Sequence, residues 1–354
     1  MNRHALAVVP GDGIGIEVVE QALRVLKRVS EISGRMQFET EQFNWSCQYY
    51  LEHGAMMPEN GLDILKDFEA IFLGAVGFPT VPDHISLWGL LLPIRRGFDQ
   101  YVNLRPVRIL RGIESPLKGF RAGMIDFVVV RENTEGEYSN IGGRLRAGTP
   151  DEIVIQDSVF TRKGTERVMR YAFELAQRSP KNRLTAATKS NGLNYSMPFW
   201  DEVFKDVGTQ YPDVIQEIYH VDALASYFIT RPEQFDVVVA SNLFGDILTD
   251  IGGAIQGGLG LAAAANINPE RRYPSMFEPV HGSAPDIAGQ GIANPTAQLW
   301  TAKLMLDYLG YPDEGEWILG AVESTLTKGI RTRDLGGTAT TREFTDAVLD
   351  NLPE

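Results

Sequence analysis

Short runs of consecutive apolar residues, each followed by a stretch with helical spacing, constrain this 354-residue chain more than any other feature. The first run covers residues 5–9, is broken by Pro10-Gly-Asp-Gly-Ile-Gly15, and gives way to Val18, Ala22, Val25, Leu26 and Val29. A run without polar alternation is the mark of a strand buried on both faces, as in parallel sheets covered by helices. Residues 70–73, 127–130, 153–155 and 236–240 read as further buried strands. Helical patterns at 61–67, 164–178, 197–207, 222–231 and 295–308 lie between them. This alternation predicts an α/β protein with a largely parallel sheet. One stretch breaks it. Residues 132–157 carry Gly136, Gly142, Gly143, Gly148 and Pro150 among short polar and β-type pieces, which predicts an extended arm or hairpin outside the main fold.

The formal net charge of -13 argues against non-specific binding to nucleic acid or to an anionic membrane. Cys47 is the single cysteine, so no intramolecular disulfide can form, which fits a reducing cytosol. Met1 to His4 lead straight into the first strand without a secretory apolar core, and no apolar stretch approaches the roughly 18 residues a membrane span needs. A soluble cytoplasmic protein is expected.

Three groups of residues suggest chemistry. Gly11-Asp-Gly-Ile-Gly15 sits between a strand and a helix and invites the dinucleotide fingerprint, but position 16 is Ile16 instead of the third glycine or alanine. No acidic residue closes a second strand about 20 residues on, as the fingerprint requires. A plain tight turn explains the loop as well. Asp246 and Asp250 follow the strand at 236–240 and, on a helix, stand one turn apart on one face. They read as ligands for a hard cation or as two solvated surface residues. Arg95, Arg105 and Arg131 lie among apolar neighbours, and clustered guanidinium groups suit a small polycarboxylate.

With these residues in place, the chain resembles the metal-dependent β-decarboxylating dehydrogenases, the family of 3-isopropylmalate, isocitrate, homoisocitrate, tartrate and D-malate dehydrogenases. The likeness runs through Pro10-Gly-Asp-Gly-Ile-Gly15, Asn103-Leu-Arg-Pro106, Val130-Arg-Glu-Asn-Thr-Glu-Gly-Glu-Tyr138 and Thr188-Lys-Ser-Asn191. It continues through Asn242-Leu-Phe-Gly-Asp-Ile-Leu-Thr-Asp250 and Glu278-Pro-Val-His-Gly-Ser-Ala-Pro-Asp286. The resemblance implies an isopropylmalate-dehydrogenase-like fold of two domains, with a large, mostly parallel sheet flanked by helices. Residues 1–100 and 257–354 would form a discontinuous cofactor domain, and 101–256 the substrate, metal and dimerisation domain. Arg95, Arg105 and Arg131 resemble the family's substrate-carboxylate arginines. Tyr138 resembles the acid that protonates the enol left by decarboxylation, and Lys189 the base that takes the C2 hydroxyl proton. A lysine in that role must sit where the neutral amine is favoured. Asp222, Asp246 and Asp250 match the metal ligands, for Mn2+ or Mg2+, with K+ as a candidate monovalent ion. In the family the lysine and Asp222 serve the neighbouring subunit's site, so the resemblance implies a homodimer with shared active sites and an intersubunit arm at 132–157.

The family binds its dinucleotide outside the Rossmann scheme, through a segment matching residues 278–294 together with the first glycine loop at Ile14. Glu278, His281, Gly282, Ser283, Ala284, Asp286, Ile287 and Asn294 are the implied contacts, and Asn191 would lie on the nicotinamide side. A carboxylate at Asp286 repels a 2′-phosphate, so NAD is expected over NADP, whose users have Lys and Tyr where this chain has Asp286 and Ile287. Trp88, Gly89, Leu91 and Leu92 fall in the wall that sorts substrates by their C3 group. Isocitrate users carry Ser and Asn at the positions of Gly89 and Leu91, and isopropylmalate users a glutamate at that of Trp88. The bulk of Trp88 predicts a small pocket. The run from Asp83 to Leu91 is most similar to that of tartrate and D-malate dehydrogenases, whose substrates carry only hydrogen or hydroxyl at C3. D-malate is the first expectation, oxidised to pyruvate and CO2, then tartrate, oxidised to oxaloglycolate. 3-Isopropylmalate is the alternative substrate, and a catalytically silent NAD- or metabolite-binding subunit and a metal-dependent lyase are the alternatives of another class.

Overall fold

A computed structural model describes residues 1–353. In chain order it opens with β1 (Asn2–Gly11), α1 (Ile14–Ser33), β2 (Met36–Gln42), α2 (Cys47–His53), α3 (Gly61–Leu65) and β3 (Ala70–Ala75). Then come α4 (Asp83–Ser86), a π-helical turn (Leu87–Leu91), α5 (Leu92–Gly97), β4 (Val102–Arg108), β5 (Asp126–Glu132), β6 (Gly142–Leu145) and β7 (Ile153–Gln156). The next elements are α6 (Arg162–Arg178), β8 (Arg183–Thr188), α7 (Ser196–Gly208), β9 (Ile215–His220), α8 (Val221–Thr230), β10 (Val237–Ala240) and α9 (Asn242–Ile255). The chain closes with β11 (Ala263–Ile267), β12 (Ser275–Pro279), α10 (Thr296–Leu309), α11 (Pro312–Thr327) and α12 (Thr341–Asp350).

Two compact units emerge, residues 1–100, 104–126 and 252 onward in one, and 101–103 with 127–251 in the other. By packing, residues 104–126 and 252–256 fall in the first unit, whereas the sequence reading places all of 101–256 in one domain. In this unit the strands run β2-β1-β3-β12-β11-β4. β1 is parallel to both β2 and β3, β3 is parallel to β12, and β11 turns back antiparallel to β12. Ala7, Val9, Ile71, Leu73 and Met276 from the strands pack with Trp45, Met56, Leu65, Leu90, Ile94 and Phe98 in one buried cluster. α1 buries Val18, Val19, Ala22, Val25, Leu26 and Val29, the face its spacing predicts, and ends at Gly34 in the left-handed conformation.

The second unit carries the order β5-β10-β8-β9, parallel throughout. β10 is buried at every residue, which accounts for its unbroken Val-Val-Val-Ala sequence. One strand corrects the sequence reading. β7, read as a buried strand at 153–155, is exposed along its length and pairs antiparallel with β6 alone, as a hairpin within the predicted arm. Its apolar run looks like a core strand, yet no second layer of the unit covers it.

Candidate active-site residues

In the second unit, the penultimate residue of strand β5 is Arg131, whose side chain is almost fully buried. Its Nε and Nη2 donate to Asn242 Oδ1 at 3.0 and 2.7 Å, and Nη1 donates to Asp246 on the next turn of α9. Tyr138 Oη donates to the other carboxylate oxygen of Asp246 at 2.9 Å, and the Arg131 guanidinium stands 5.3 Å from the Tyr138 ring centroid. Arginine, phenol and carboxylate therefore form one locked cluster. Asp250, exposed, lies one turn further along α9.

The loop from β5 to Tyr138 is tied down by acidic residues. Glu132, buried, accepts from Thr134 N and Oγ1 at 2.9 Å and from Glu135 N at 3.0 Å, and burial pushes its pKa up to about 7. Glu137 accepts from Ser241 Oγ at 2.7 Å and from Leu243 N at 3.1 Å, engaging an otherwise unpaired amide in the first turn of α9. Glu135 accepts from Thr161 N at 2.9 Å and Oγ1 at 2.8 Å, at the start of α6. These carboxylates fix the loop that presents Tyr138.

Lys189 follows β8 directly, and its Nζ donates to Asp222 Oδ1 at 2.9 Å in the first turn of α8. That hydrogen bond holds the Asp222 carboxyl below its ordinary pKa. Asn191 stands exposed in the turn after Lys189. The three aspartates Asp222, Asp246 and Asp250 do not come together within one chain: among the described residues no three His, Cys, Asp or Glu side chains are grouped closely enough to hold a metal ion.

In the first unit, the glycine loop is occupied by the protein itself. Ile14 N donates to Ser283 O at 2.9 Å, and the buried Asp12 accepts from Cys47 N at 3.0 Å and from Gly77 N at 3.1 Å. Gly13 has φ 55°, and a Cβ there would fall 2.1 Å from Ser283 O. Close approach of the 283 segment, and not a Rossmann turn, is what demands glycine. Glu17 on α1 adds acceptors for Gly289 N at 2.5 Å and Gly291 N at 3.1 Å. Beside this junction opens a cavity of about 370 Å³, lined by Ile14, His281, Ile287, Ile292, Asn294 and Asp334 among others. Asn294 Nδ2 donates to Asp334 Oδ2 at 2.9 Å, and burial lowers the pKa of His281, favouring the neutral ring. Ser283 is buried, Ala284 holds φ 40°, and Gly282 and Asp286 are exposed.

Arg95, on α5, is buried and pairs through Nη2 with Glu278 Oε1 at 2.6 Å, and Asn266 Nδ2 donates to the same oxygen at 2.7 Å. Arg105 is buried on β4. Trp88 and Leu91 lie half-buried in the π-helical turn, and Leu92 is buried.

Comparison with known proteins identifies the family. Residues 5–348 match the family model described as isocitrate/isopropylmalate dehydrogenase. The chain belongs to this family. A probable tartrate dehydrogenase/decarboxylase of Bacillus subtilis (strain 168) is 57% identical over 353 residues, covering 99% of each chain. The D-malate dehydrogenase [decarboxylating] of Escherichia coli (strain K12) is 55% identical, covering 98% of each. The crystal structure of isocitrate dehydrogenase from Methylococcus capsulatus superposes with a TM-score of 0.87 at 33% identity, over 98% of this chain and 99% of that one.

As an isocitrate/isopropylmalate dehydrogenase family member, the chain is an oxidoreductase with the large, mostly parallel sheet and flanking helices of that fold. Sequence reasoning missed Gly260, Ile292, Arg333 and Asp334 in the cavity wall, and Glu17, Glu132, Glu135 and Glu137 behind the loops. Asp334 had no local signal, since it lies 40 residues from Asn294, the partner that draws it into the cavity. Glu132, Glu135 and Glu137 stand in plain view in the Arg131–Tyr138 motif, but only the fold shows which amides they engage.

Proposed function

We propose that this chain oxidises D-malate to pyruvate and CO2 with NAD and a divalent Mn2+ or Mg2+ ion, and that tartrate, oxidised to oxaloglycolate, is a second substrate. The observation that carries the reaction class is the cluster of Arg131, Tyr138 and Asp246, which sets a carboxylate-binding cation beside a hydroxyl donor held in one orientation. Arg95, Arg105 and Arg131 are assigned to the substrate carboxylates. Lys189 takes the proton of the C2 hydroxyl as the C2 hydride departs. After the C3–C4 bond breaks and CO2 leaves, Tyr138 delivers a proton to C3 of the enol. Asp246 and Asp250 offer only hard oxygen donors, which suits Mg2+ or Mn2+, with Asp222 of a second copy as the third ligand. Bound NAD would accept the hydride, and the cation would supply Lewis acidity toward the C2 oxygen.

The first unit is assigned to the dinucleotide. Ile14 and Ile287 would flank the adenosine, Asn294 and neutral His281 would offer polar contacts, and Glu278, Gly282, Ser283 and Ala284 would shape the surrounding backbone. Asp286 would meet the ribose hydroxyls and disfavour NADP. Asn191 would lie on the nicotinamide side. The second unit is assigned to metal binding and dimerisation. The arm exposes Ile141, Leu145, Ile153, Val154 and Ile155, and α9 exposes Leu243 and Ile247, an apolar surface that a second copy would cover. We place the protein in the cytoplasm, where its one buried thiol stays reduced.

The relatives' names favour D-malate and tartrate, and Trp88, Leu91 and Leu92 support a small C3 pocket. At Gly89 a Cβ would lie 2.6 Å from Met56 Cγ, so a serine able to grip a third carboxylate needs Met56 to move. The test is a panel of D-malate, L-tartrate, meso-tartrate, 3-isopropylmalate and isocitrate, with NAD or NADP, Mn2+, and K+ or Na+. D-malate with NAD should give the highest kcat/KM. Preference for isopropylmalate or isocitrate by about tenfold, or 1.4 kcal/mol of transition-state discrimination, rejects the substrate assignment, and preference for NADP rejects the role of Asp286.

A further inference from the structure

Two adjacent arginines on α5 go to different work. Arg95 turns inward to Glu278, while the Arg96 guanidinium lies 4.7 Å from the centroid of the Trp88 indole. The π-helical turn explains the pairing. Leu92 N–H bonds Leu87 O, five residues back, so the helix from Asp83 to Gly97 carries one extra residue in its register. Two α-helical turns span about 7 residues. With the extra residue they span about 8, which brings positions 88 and 96 onto one face. Position 95 then falls about 100° away, toward Glu278. Trp88 is only half-buried, so packing does not enclose its ring on every side.

We infer that Arg96 is a positioning residue for substrate specificity: by stacking its guanidinium on Trp88 it holds the indole as a fixed wall against substrates with an alkyl group on C3. This deepens the proposed function and rests on its assignment of Trp88 to the substrate pocket. Arginine suits the task because its planar cation keeps its charge at any physiological pH and offers a flat face to the ring, where lysine offers only a point charge. Discrimination between D-malate and 3-isopropylmalate then depends on how firmly the wall stands, as well as on its bulk.

The test is a double-mutant cycle on the ratio of kcat/KM for D-malate to that for 3-isopropylmalate, using Arg96→Met, Trp88→Leu and the double variant. Arg96→Met keeps the aliphatic stem and removes the cation. It should lower the ratio about fivefold, with KM for D-malate moving more than kcat, and Arg96→Lys should restore part of the ratio. In the Trp88→Leu background, Arg96→Met should leave the ratio within about twofold. An unchanged ratio in the wild-type background, or an equal fall in both backgrounds, would overturn the inference. Acrylamide quenching of tryptophan emission gives a readout that needs no turnover: Arg96→Met should increase it when Trp88 is present and leave it alone when Trp88 is Leu. No increase with Trp88 present overturns the inference even if a variant is inactive. Should the wild-type protein prefer isopropylmalate, the substrate reading fails, while coupling between positions 88 and 96 is still read from the same proteins.

Discussion

The cavity of the first unit is walled by Ile14, Ile287 and Ile292, with Asn294 paired to Asp334 and the buried Nε2 of His281 without a partner. In the second unit the corresponding surfaces are ionic: Arg131 with Asp246, and Lys189 with Asp222. A mostly apolar pocket with a single unpartnered ring nitrogen suits a flat ligand that brings one polar contact, which is what recognition of a dinucleotide asks. Paired charges held in fixed geometry present an oriented cation and a proton donor, which is what proton transfer and carboxylate binding ask. The difference teaches that side chains in the first unit should govern affinity, and those in the second turnover.

The largest effect should come from the second unit. Lys189→Ala should lower kcat by about 10²–10⁴-fold while NADH binding, followed by its fluorescence, stays near wild type. Unchanged turnover removes Lys189 from the mechanism, and lost NADH binding breaks the division of labour between the units. Tyr138→Phe should cost about 100-fold in kcat with little change in stability, because the ring keeps its place against Arg131; a stopped-flow measurement should find NADH formation less affected than steady-state turnover.

In the first unit the expected sign is reversed. Gly13→Ala forces a Cβ toward Ser283 O and a residue with a side chain into φ 55°. It should destabilise the protein by more than about 1 kcal/mol in urea unfolding and raise the KM for NAD more than it lowers kcat. A KM for NAD unchanged in a folded variant would detach the glycine loop from cofactor binding.

The effect with least bearing on turnover concerns the pH dependence of stability and Glu132. Its pKa, raised by burial to about 7 from an ordinary 4.5, means that the folded state holds its proton more tightly than the unfolded chain does. The stability this contributes is complete below about pH 4.5 and is lost as pH rises through about 7, to a limit of about 3 kcal/mol. Glu132→Gln should therefore flatten the fall of Tm between pH 5 and 7. An unaltered slope would show that Glu132 does not titrate in that range.

How much of this could be read from the sequence depended on the distance between partners. β1, β3, β5 and β10 and the helices α1, α6, α7, α8 and α10 were legible, because burial on both faces or on one stripe writes itself into local periodicity. β11 and β12, short and alanine- or methionine-containing, were not, since their strand character comes from pairing with each other. α11 and α12 also went unread, although Pro312 at the start of one and the Thr340–Glu343 capping box of the other mark where they begin. Residues 153–155 misled for the opposite reason, as an apolar run that no layer of its unit covers. At the candidate site, Arg131, Tyr138 and Asp246 are legible in the sequence motifs and do meet. The pairing of Arg95 with Glu278 and of Arg96 with Trp88 was invisible, because both depend on the register of one π-helical turn.

The central proposal, that hydride transfer and decarboxylation of D-malate are coupled on this chain, is tested most directly by measuring NADH and CO2 together in one reaction with NAD and Mn2+. NADH, CO2 and pyruvate should appear in equal amounts from the first turnovers onward. CO2 released without NADH would make the protein a lyase, and D-malate left unconsumed under these conditions would contradict the proposal outright.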